Sequence, residues 1–517
     1  MNKFLNGLSN GSNYTLTENG AITHRSTKSD LLDMFAMGAA MRKRSDEDVI
    51  LMFRKAFQEN PVYALKCLFY IRDVRGGQGE RRFFRVCMRD LATQNTEAAM
   101  RNLRHVPEFG RWDDLYVFIG TPLEAAALNI MKEQLALDVQ CKTPSLLAKW
   151  LKSENTSSAE SRRLATITRK AMGMNHKQYR KTLSILRARI NVLERLMSEN
   201  RWDGIEFDKI PSRAGMIYKN AFARHDLERE KSIKEVQTYA EFAKDTTKKV
   251  NAKALFPYEC TSEAAKLMGS CSWGGRHHVT LDNTNRLMIN KYWDNLADYF
   301  QGASFNALAV VDTSSSMWKG DGLPEMVAVS LGMYCAEKAK GPFAGHYVSF
   351  SRNPRLVSVE GVDFCDKVDR IIRTDLCENT DIEKTFDMLL NTAIINRCSQ
   401  ADLPQNIIII SDMEFDAARG SGRTYNWSTH RYEYNESNVD TLMEGIARKW
   451  TAAGYQMPHL IFWNVDARQN NIPMLGNGPI SYVSGFSPSI FQTIMTGKTG
   501  YDLMMEKLNS ERYAVIH

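Results

Sequence analysis

The sequence lacks the long apolar run that a membrane span requires. No stretch of about 18 consecutive apolar residues occurs in its 517 residues, so we expect no membrane-spanning helix. The opening run from Met1 to Gly7 lacks the apolar stretch of a secretory signal. The nine cysteines are scattered without a Cys-x-x-Cys pair, which argues against a disulfide framework and against a zinc site. These absences predict a reduced, cytoplasmic protein.

Charge is unevenly distributed along the chain. The net charge is +7, but residues 1–300 hold 48 Lys and Arg against 35 Asp and Glu, a balance of +13. Residues 301–517 hold the remaining 19 basic and 25 acidic residues, a balance of −6. A basic half beside an acidic half suggests a polyanionic partner for the basic half.

The apolar pattern between residues 30 and 265 is helical almost throughout. Leu183, Leu186, Ile190, Leu193 and Leu196 recur at three- and four-residue steps, which predicts one face of a long amphipathic helix. Short polar breaks separate such segments, and this favours antiparallel helix pairs stacked in a HEAT-like α-solenoid. Before it, residues 1–29 are rich in Asn, Ser, Thr and Gly, and we expect an irregular N-terminal arm.

A different pattern follows the helical module. Residues 266–303 are expected to form a connection, residues 304–500 an α/β domain, and residues 501–517 a C-terminal helix or tail. Within the α/β domain, continuous apolar runs alternate with helical segments, which predicts a doubly wound, mainly parallel sheet covered on both faces. The polar segment 417–438 is expected to be a long surface loop.

Polar side chains follow two of the predicted strands. Asp312, Ser314 and Ser316 come directly after one apolar run, and Asp412 comes after another. Thr380 opens a helix between them. Ligands of a doubly wound sheet bind beyond the carboxyl ends of its strands, and oxygen donors suit a small hard cation such as Mg²⁺. The sequence therefore predicts a divalent-metal site at this edge.

These five residues, in this order, resemble the metal-ion-dependent adhesion site of von Willebrand A domains. The resemblance implies that the hydroxyls and carboxylates hold Mg²⁺, or else Mn²⁺ or Ca²⁺, directly or through water. It also implies that one coordination position stays open for an acidic residue of a protein partner. A plain polar turn is the alternative for the Asp-x-Ser-x-Ser run taken alone.

Two catalytic interpretations do not suit the same residues. A phosphatase of the haloacid-dehalogenase type needs Asp-x-Asp-x-Thr after its first strand, but residue 314 is Ser and the second carboxylate is missing. No Gly-x-Ser-x-Gly nucleophile elbow is present either. We therefore expect a binding site and no enzyme.

Two basic stretches of the helical module are candidates for RNA binding. Phosphates are bound by Lys and Arg, and arginine planes can stack on single-stranded bases. The run 162–189 contains nine basic residues and no acidic one. A solvated basic helix face is the alternative interpretation. The candidate residues are Arg72, Arg75, Arg81, Arg82, Arg85, Arg162, Arg163, Arg169, Lys170, Lys177, Arg180 and Lys181.

Four short phrases carry a second resemblance. They are Arg72-Asp-Val-Arg-Gly-Gly-Gln-Gly-Glu-Arg-Arg82, Phe109-Gly-Arg-Trp-Asp-Asp-Leu115, Lys152-Ser-Glu-Asn-Thr156 and Pro211-Ser-Arg-Ala214. They resemble a TROVE-like branch, found in phages, bacteria and plants, of the Ro autoantigen type. In the Ro family a ring of HEAT-like helices is closed by a von Willebrand A domain. The resemblance implies binding of single-stranded RNA ends or small structured RNAs by the basic helical module.

Two functions are therefore open. The first is an RNA-binding scaffold with a metal-dependent adhesion domain. The second is a protein-assembly factor whose metal site captures a partner's carboxylate, with no nucleic acid bound. Charge asymmetry favours the first, and co-purified nucleic acid would separate the two.

Overall fold

The computed structural model describes residues 13–226, 237–269, 283–318, 321–350, 353–374, 380–417, 423–426, 431–434, 441–475 and 478–517. The α-helices in chain order are α1 Asp30–Met37, α2 Asp46–Glu59, α3 Pro61–Arg72, α4 Arg82–Gln94, α5 Thr96–Asn102, α6 Val106–Phe109, α7 Glu124–Gln140, α8 Leu147–Trp150, α9 Ala159–Ala171, α10 His176–Arg189, α11 Leu193–Ser198, α12 Ser212–Arg224, α13 Tyr239–Lys244, α14 Pro257–Met268, α15 Asn283–Asp294, α16 Leu323–Lys338, α17 Phe364–Thr374, α18 Ile382–Ile395, α19 Leu442–Ala452, α20 Ile490–Ile494 and α21 Gly500–Leu508. The strands are β1 Tyr14–Leu16, β2 Ile22–His24, β3 Ala307–Asp312, β4 His346–Phe350, β5 Arg355–Ser358, β6 Asn406–Ser411, β7 Arg423–Asn426, β8 Arg431–Tyr434, β9 His459–Asn464 and β10 Ile480–Ser484.

A six-stranded sheet, in the order β10-β9-β6-β3-β4-β5, organises the C-terminal region. Neighbouring strands are parallel, except that the edge strand β5 runs antiparallel to β4. From β3 the chain adds β4 and β5 on one side and then β6, β9 and β10 on the other. The predicted fold class, a helical region followed by a doubly wound, mainly parallel α/β domain, is confirmed.

The central strand β3 is held tightly by the helix that follows it. Every residue of β3 is buried, as a strand covered on both faces requires. Helix α16 packs against β3, and a Cβ built at Gly332 would lie 2.4 Å from Cγ2 of Val311. Glycine thus permits the close approach of helix and strand, and this packing fixes the strand end that carries Asp312.

The chain folds into two compact units, and each unit is built from separate segments. The sheet unit comprises Met1–Pro61, Phe256–Leu281 and Leu296–Asn509, and the helical unit comprises Val62–Leu255, Asp282–Asn295 and Ser510–His517. The sequence predicts one continuous helical module over 30–265, whereas the helical unit of the structure is built from three separate segments.

Helices α1 and α14 explain this difference, because both pack in the unit that contains the sheet. Residues 31–37 of α1 are all buried, and the helix lies against β10. Helix α14 packs against α16 and α17. Apolar periodicity identifies an amphipathic helix, but it does not say which surface the helix covers.

The helical unit ends with a segment from the C-terminus. The guanidinium of Arg512 pairs with the carboxylate of Asp73, and the Tyr513 hydroxyl lies 3.1 Å from the same carboxylate. The backbone amide of His517 donates to the side chain of Asn102 at 3.0 Å. Residues 510–517 are therefore anchored in this unit.

Two further predictions concern the segment 417–438 and membrane-spanning helices. Within 417–438, where we expect a surface loop, β7 and β8 pair as antiparallel strands, and the other residues after Ala417 lie outside the described residues. In the part of the chain that the structure describes, no helix is long and apolar enough to cross a membrane.

Candidate functional site

The carboxyl ends of β3 and β6 meet where the topology of the sheet reverses. The two strands are parallel neighbours with Val311 opposite Ile410, and β4 lies on the other side of β3. Asp312 ends β3, and Asp412 directly follows β6. In a doubly wound sheet this is the crevice where ligands bind. The topology thus places two carboxylates that are distant in sequence at one edge.

Hydrogen bonds join four of the five predicted metal ligands. The Ser314 hydroxyl lies 3.0 Å from the hydroxyl of Ser316, which donates to Oδ2 of Asp412 at 2.7 Å. Oδ1 of Asp312 accepts the backbone amide of Ser314 at 2.9 Å, and Oδ2 accepts the hydroxyl of Ser411 at 2.5 Å. All five side chains are buried. The structure therefore brings the predicted ligands from both strand ends into one network.

Thr380, the fifth predicted ligand, borders the same edge from the start of α18. Its side chain is buried, and its hydroxyl accepts the amide of Asn19 at 3.3 Å. Its backbone carbonyl accepts the N–H of Asp416 at 3.0 Å. Because Asp416 follows Asp412 by four residues, this bond ties Thr380 to the segment that leaves β6.

Negative charge is concentrated at this edge. Burial, reinforced by the charge of Asp412, raises the pKa of Asp312 to about 7. Burial likewise raises the pKa of Glu414 to about 7, and Asp412 acts in the same direction. The guanidinium of Arg468 lies against the cluster, with Nη2 2.6 Å from Oδ2 of Asp412. A bound cation would relieve the repulsion between these carboxylates.

The residues fit a small hard cation. The predicted donors are carboxylate and hydroxyl oxygens, which Mg²⁺ prefers. One further oxygen, Oε1 of Glu414, is buried without a hydrogen-bond partner among the described residues. Among those residues no group of three or more His, Cys, Asp or Glu could hold a metal, so a site here depends on the hydroxyls of Ser314, Ser316 and Thr380.

Sequence reasoning missed several residues of this edge. Arg468 follows β9 in the run Asp466-Ala-Arg468, and polar residues after a third strand were a signal that could have identified it. The N-terminal contributors lie in the segment expected to be an irregular arm, and no signal in the sequence placed them here. The missed residues are Glu18, Asn19, Ser411, Glu414 and Arg468.

In the helical unit, two of the arginines predicted to bind RNA form a buried ion-pair cluster. Arg72 is 1% exposed, and its Nε and Nη2 bind Oδ2 of Asp114 at 2.9 and 2.6 Å. Nε of Arg85 binds the other oxygen of Asp114 at 2.7 Å. Asp114 is itself fully buried, so the guanidinium of Arg72 is committed to the interior, while Arg85 reaches the same carboxylate from a half-buried position.

Arg81 lies near this cluster and adds positive charge to it. Burial and the charges of Arg111, Arg85 and Arg72 lower the pKa of Arg81 to about 10. Its Nε is buried and has no hydrogen-bond partner among the described residues. An anion beside Arg81 would offset this surplus of positive charge.

The remaining arginines of the first stretch, Arg75 and Arg82, differ in accessibility. Arg75 is exposed and donates a hydrogen bond to the backbone carbonyl of Glu108. Arg82 is half-buried at the start of α4. Together with Arg72 and Arg85, they show that this stretch is mainly part of the fold of the helical unit.

Acidic residues from outside the run 162–189 neutralise part of that run. Arg163 pairs with Glu160 at 2.7 Å, and Arg169 pairs with Glu154 at 2.8 Å. Arg162 donates to two backbone carbonyls of the preceding loop. Both glutamates precede the run, so counting the acidic residues within 162–189 alone does not reveal that they pair with its arginines.

Four basic side chains of the second stretch are exposed, and the described residues give them no ion pair or side-chain hydrogen bond. They are Lys170, Lys177, Arg180 and Lys181. The last three lie on α10 at positions i, i+3 and i+4, which share one face of a helix. We call these three residues the α10 basic face.

Family models match both parts of the chain. The model for the domain of unknown function DUF2828 matches residues 17–163 and 134–303, and the model for the domain of unknown function DUF7788 matches residues 306–514. The Uncharacterized protein L728 of Acanthamoeba polyphaga mimivirus is 28% identical over 524 residues, which cover 94% of this chain and 85% of the viral protein. The crystal structure of the Deinococcus radiodurans RO (RSR) protein aligns with a TM-score of 0.48 and 16% identity, over 94% of this chain and 100% of that one.

Proposed function

The chain belongs to the family of the domain of unknown function DUF2828, and from its own residues we propose that it is an RNA-binding scaffold with a divalent-metal adhesion site. In this proposal the helical unit binds single-stranded or small structured RNA, as the resemblance of its sequence motifs to those of Ro-type proteins implies. The edge of the sheet binds Mg²⁺ and, through it, an acidic residue of a protein partner.

The α10 basic face is the observation that supports RNA binding. Its three cations are exposed and unpaired among the described residues, whereas Arg163 and Arg169 are held by glutamates. Unpaired cations on one helix face can each neutralise a phosphate and release a condensed counterion. Arg81, with its surplus positive charge, is a second position for a phosphate.

The oxygen network at the sheet edge supports the adhesion site. Asp312, Ser314, Ser316, Thr380 and Asp412 would hold the cation. When bound, Mg²⁺ would supply a positive charge that accepts a further carboxylate, because it favours six oxygen ligands and keeps exchangeable positions. The same network favours the second candidate, an assembly factor that binds no nucleic acid.

Filter binding of a 20-nucleotide single-stranded RNA at about 50 and 200 mM salt tests the RNA proposal. The variant Lys177→Glu, Arg180→Glu, Lys181→Glu should bind more than about tenfold more weakly. It should also lose about 2 from the slope of log K against log salt, since each single-strand phosphate contact contributes roughly 0.7.

A matched control changes the net charge equally elsewhere in the helical unit. Lys244, Lys249 and Lys253 are exposed lysines of that unit, and their triple replacement by Glu should retain most of the affinity. Equal binding by wild type and the α10 variant would remove the RNA proposal. Pull-downs in Mg²⁺ and in EDTA would then decide for the assembly factor if the bound proteins differ between the two.

A further inference from the structure

An N-terminal hairpin lies on the edge of the sheet where the metal ligands converge. Its strands β1 and β2 are antiparallel, with Tyr14 opposite His24 and Leu16 opposite Ile22. The turn between them, residues 17–21, is closed by a backbone hydrogen bond of 3.0 Å from the N–H of Thr17 to the carbonyl of Ala21. We call residues 14–24 the N-terminal hairpin.

The turn of the N-terminal hairpin binds the segment that follows Asp412. The Thr17 hydroxyl donates to the carbonyl of Phe415 at 2.6 Å, and the N–H of Glu18 donates to Oε2 of Glu414 at 2.6 Å. The Asn19 amide donates to the carbonyl of Glu414 at 2.6 Å. Three consecutive residues of the turn thus bond two consecutive residues of the site, which is an ordered docking contact.

The same turn reaches two predicted metal ligands. Asn19 donates to the hydroxyl of Thr380 at 3.3 Å. The carboxylate of Glu18 accepts Nη1 of Arg468 at 2.8 Å, while Nη2 of Arg468 donates to Asp412 at 2.6 Å. One guanidinium therefore bridges an acidic residue of the hairpin and an acidic residue of the site.

The second strand of the hairpin is anchored separately. His24 and Ile472 exchange two backbone hydrogen bonds of 3.0 and 2.9 Å, and the Thr23 hydroxyl donates to the carbonyl of Ile472 at 2.8 Å. An imidazole nitrogen of His24 also lies 3.3 Å from the carboxylate of Glu444. Because both the turn and β2 form hydrogen bonds with the residues beneath them, the hairpin occupies a defined binding position.

We propose that the turn of the N-terminal hairpin is an intramolecular ligand that occupies the partner-facing side of the metal centre. This inference rests on the proposed adhesion site, because it names what competes for that site. An acidic partner segment must displace Glu18 and Asn19 before it can approach Asp412 and Thr380.

The turn also indicates what kind of partner fits. Its bonds require a carboxylate for Arg468, an adjacent side-chain donor for Thr380 and an exposed backbone amide for Glu414. An extended protein segment that presents Asp or Glu followed by Asn or Gln satisfies all three. A tethered segment competes at an effective concentration of about millimolar, so a weak contact in cis is sufficient to exclude a weak partner.

Competition with the hairpin's own sequence tests this inference. The probe is a fluorescein-labelled peptide of residues 13–26, closed into a ring by added terminal cysteines so that the hairpin is preorganised. Fluorescence anisotropy is measured on the full chain in excess Mg²⁺. The double variant Glu18→Ala, Asn19→Ala should bind the peptide at least tenfold more tightly than wild type, because its own hairpin loses the side-chain bonds to Arg468, Thr380 and Glu414 and is held more weakly.

Two controls isolate the turn. Leu16→Ala, at an exposed position of β1, should behave as wild type. A peptide carrying Glu18→Gln should bind the double variant several-fold more weakly, because Arg468 loses its carboxylate. Equal binding of the peptide to wild type and double variant, or binding to neither, would overturn the inference.

The metal proposal can fail without affecting this result. If the edge binds no cation, the difference between double variant and wild type persists unchanged in EDTA and in Asp312→Ala backgrounds. If it binds Mg²⁺, both treatments alter the affinity of the double variant for the peptide. The first outcome would support the hairpin as the occupant of a protein-binding edge and would contradict the proposed metal site.

Discussion

Two charged clusters, one in each unit, contrast in the sign of their surplus charge. At the edge of the sheet, the carboxylates of Asp312, Asp412 and Glu414 are accompanied by the guanidinium of Arg468. In the helical unit, four guanidinium groups surround the two carboxylates of Asp113 and Asp114. These are the groups of Arg72, Arg81, Arg85 and Arg111.

The clusters also differ in how completely their carboxylates are paired. Both oxygens of Asp113 bind Arg111 at 2.9 Å, and both oxygens of Asp114 bind arginines. At the sheet edge, by contrast, Oε1 of Glu414 has no partner among the described residues, and the pKa of Asp312 is raised. A cluster whose carboxylates are all paired supports a fold, whereas a cluster short of positive charge is suited to bind a cation.

Removing Arg72 should have the largest effect on stability. Arg72→Ala leaves Asp114 buried with part of its charge uncompensated, and loss of one partner of a buried pair costs about 3–5 kcal/mol. Urea denaturation followed by circular dichroism measures the change in the free energy of unfolding. We expect the transition of the helical unit to move and that of the sheet unit to stay.

Arg75 is the matched control, because it lies in the same basic stretch but is exposed. Arg75→Ala should change the free energy of unfolding by less than about 0.5 kcal/mol. Equal effects of the two substitutions would show that the buried cluster does not stabilise the helical unit as its geometry indicates.

Mg²⁺ should have the next largest effect, and on the other cluster. A ligand that binds only the folded state stabilises it by about 2.7 kcal/mol at a concentration of 100 Kd. Thermal melts in Mg²⁺ and in EDTA, with the metal content of the purified protein, measure this. Asp312→Ala should abolish the shift, because it removes a buried oxygen donor from the network.

Asp387→Ala controls for the loss of a carboxylate as such. Asp387 is on α18, where it binds Lys449, and its removal should leave the response to Mg²⁺ intact. Identical wild-type melting curves in Mg²⁺ and EDTA, together with no metal in the purified protein, would refute the metal assignment.

The two clusters also show which features could be predicted from the sequence and which could not. The predicted ligands from Asp312 to Ser316 and at Asp412 follow strands, and strand order with register determines where strand ends meet. The sheet fold and the convergence of these residues could therefore be predicted. The neutralisation of Arg169 by Glu154 depends on how a loop packs on a helix, and local charge counts carry no such information.

The position of the N-terminal hairpin could not be predicted from the sequence for the same reason. Glu18 and Asn19 reach the sheet edge through tertiary contacts with residues almost 400 positions away, such as Glu414. Their local composition predicts only a polar segment. Domain boundaries likewise depend on where α1 and α14 pack, and apolar periodicity does not encode the partner surface.

The smallest expected effect concerns two glutamates that pair with the second basic stretch. Burial alone would raise the pKa of Glu154, but hydrogen bonds from His176 and Arg169 lower it below its ordinary value. A hydrogen bond from Arg163 lowers the pKa of Glu160. The two carboxylates differ in exposure, since 11% of the Glu154 side chain and 61% of the Glu160 side chain are accessible.

A carboxylate with a lowered pKa stabilises the folded state above its unfolded pKa of about 4.3, and this stabilisation is lost as pH falls through the folded pKa. Glu154→Gln should therefore lower the free energy of unfolding at pH 7 by less than about 1 kcal/mol, and this difference should become smaller as the pH falls toward about 3. High salt should preserve this difference, because the Glu154 pair is shielded from solvent, and should remove any difference caused by Glu160→Gln. Denaturation at both pH values and two salt concentrations measures these changes. If Glu154→Gln has no effect at pH 7, the ion pair with Glu154 does not hold Arg169 in the fold, and Arg169 becomes a further candidate for contact with a phosphate.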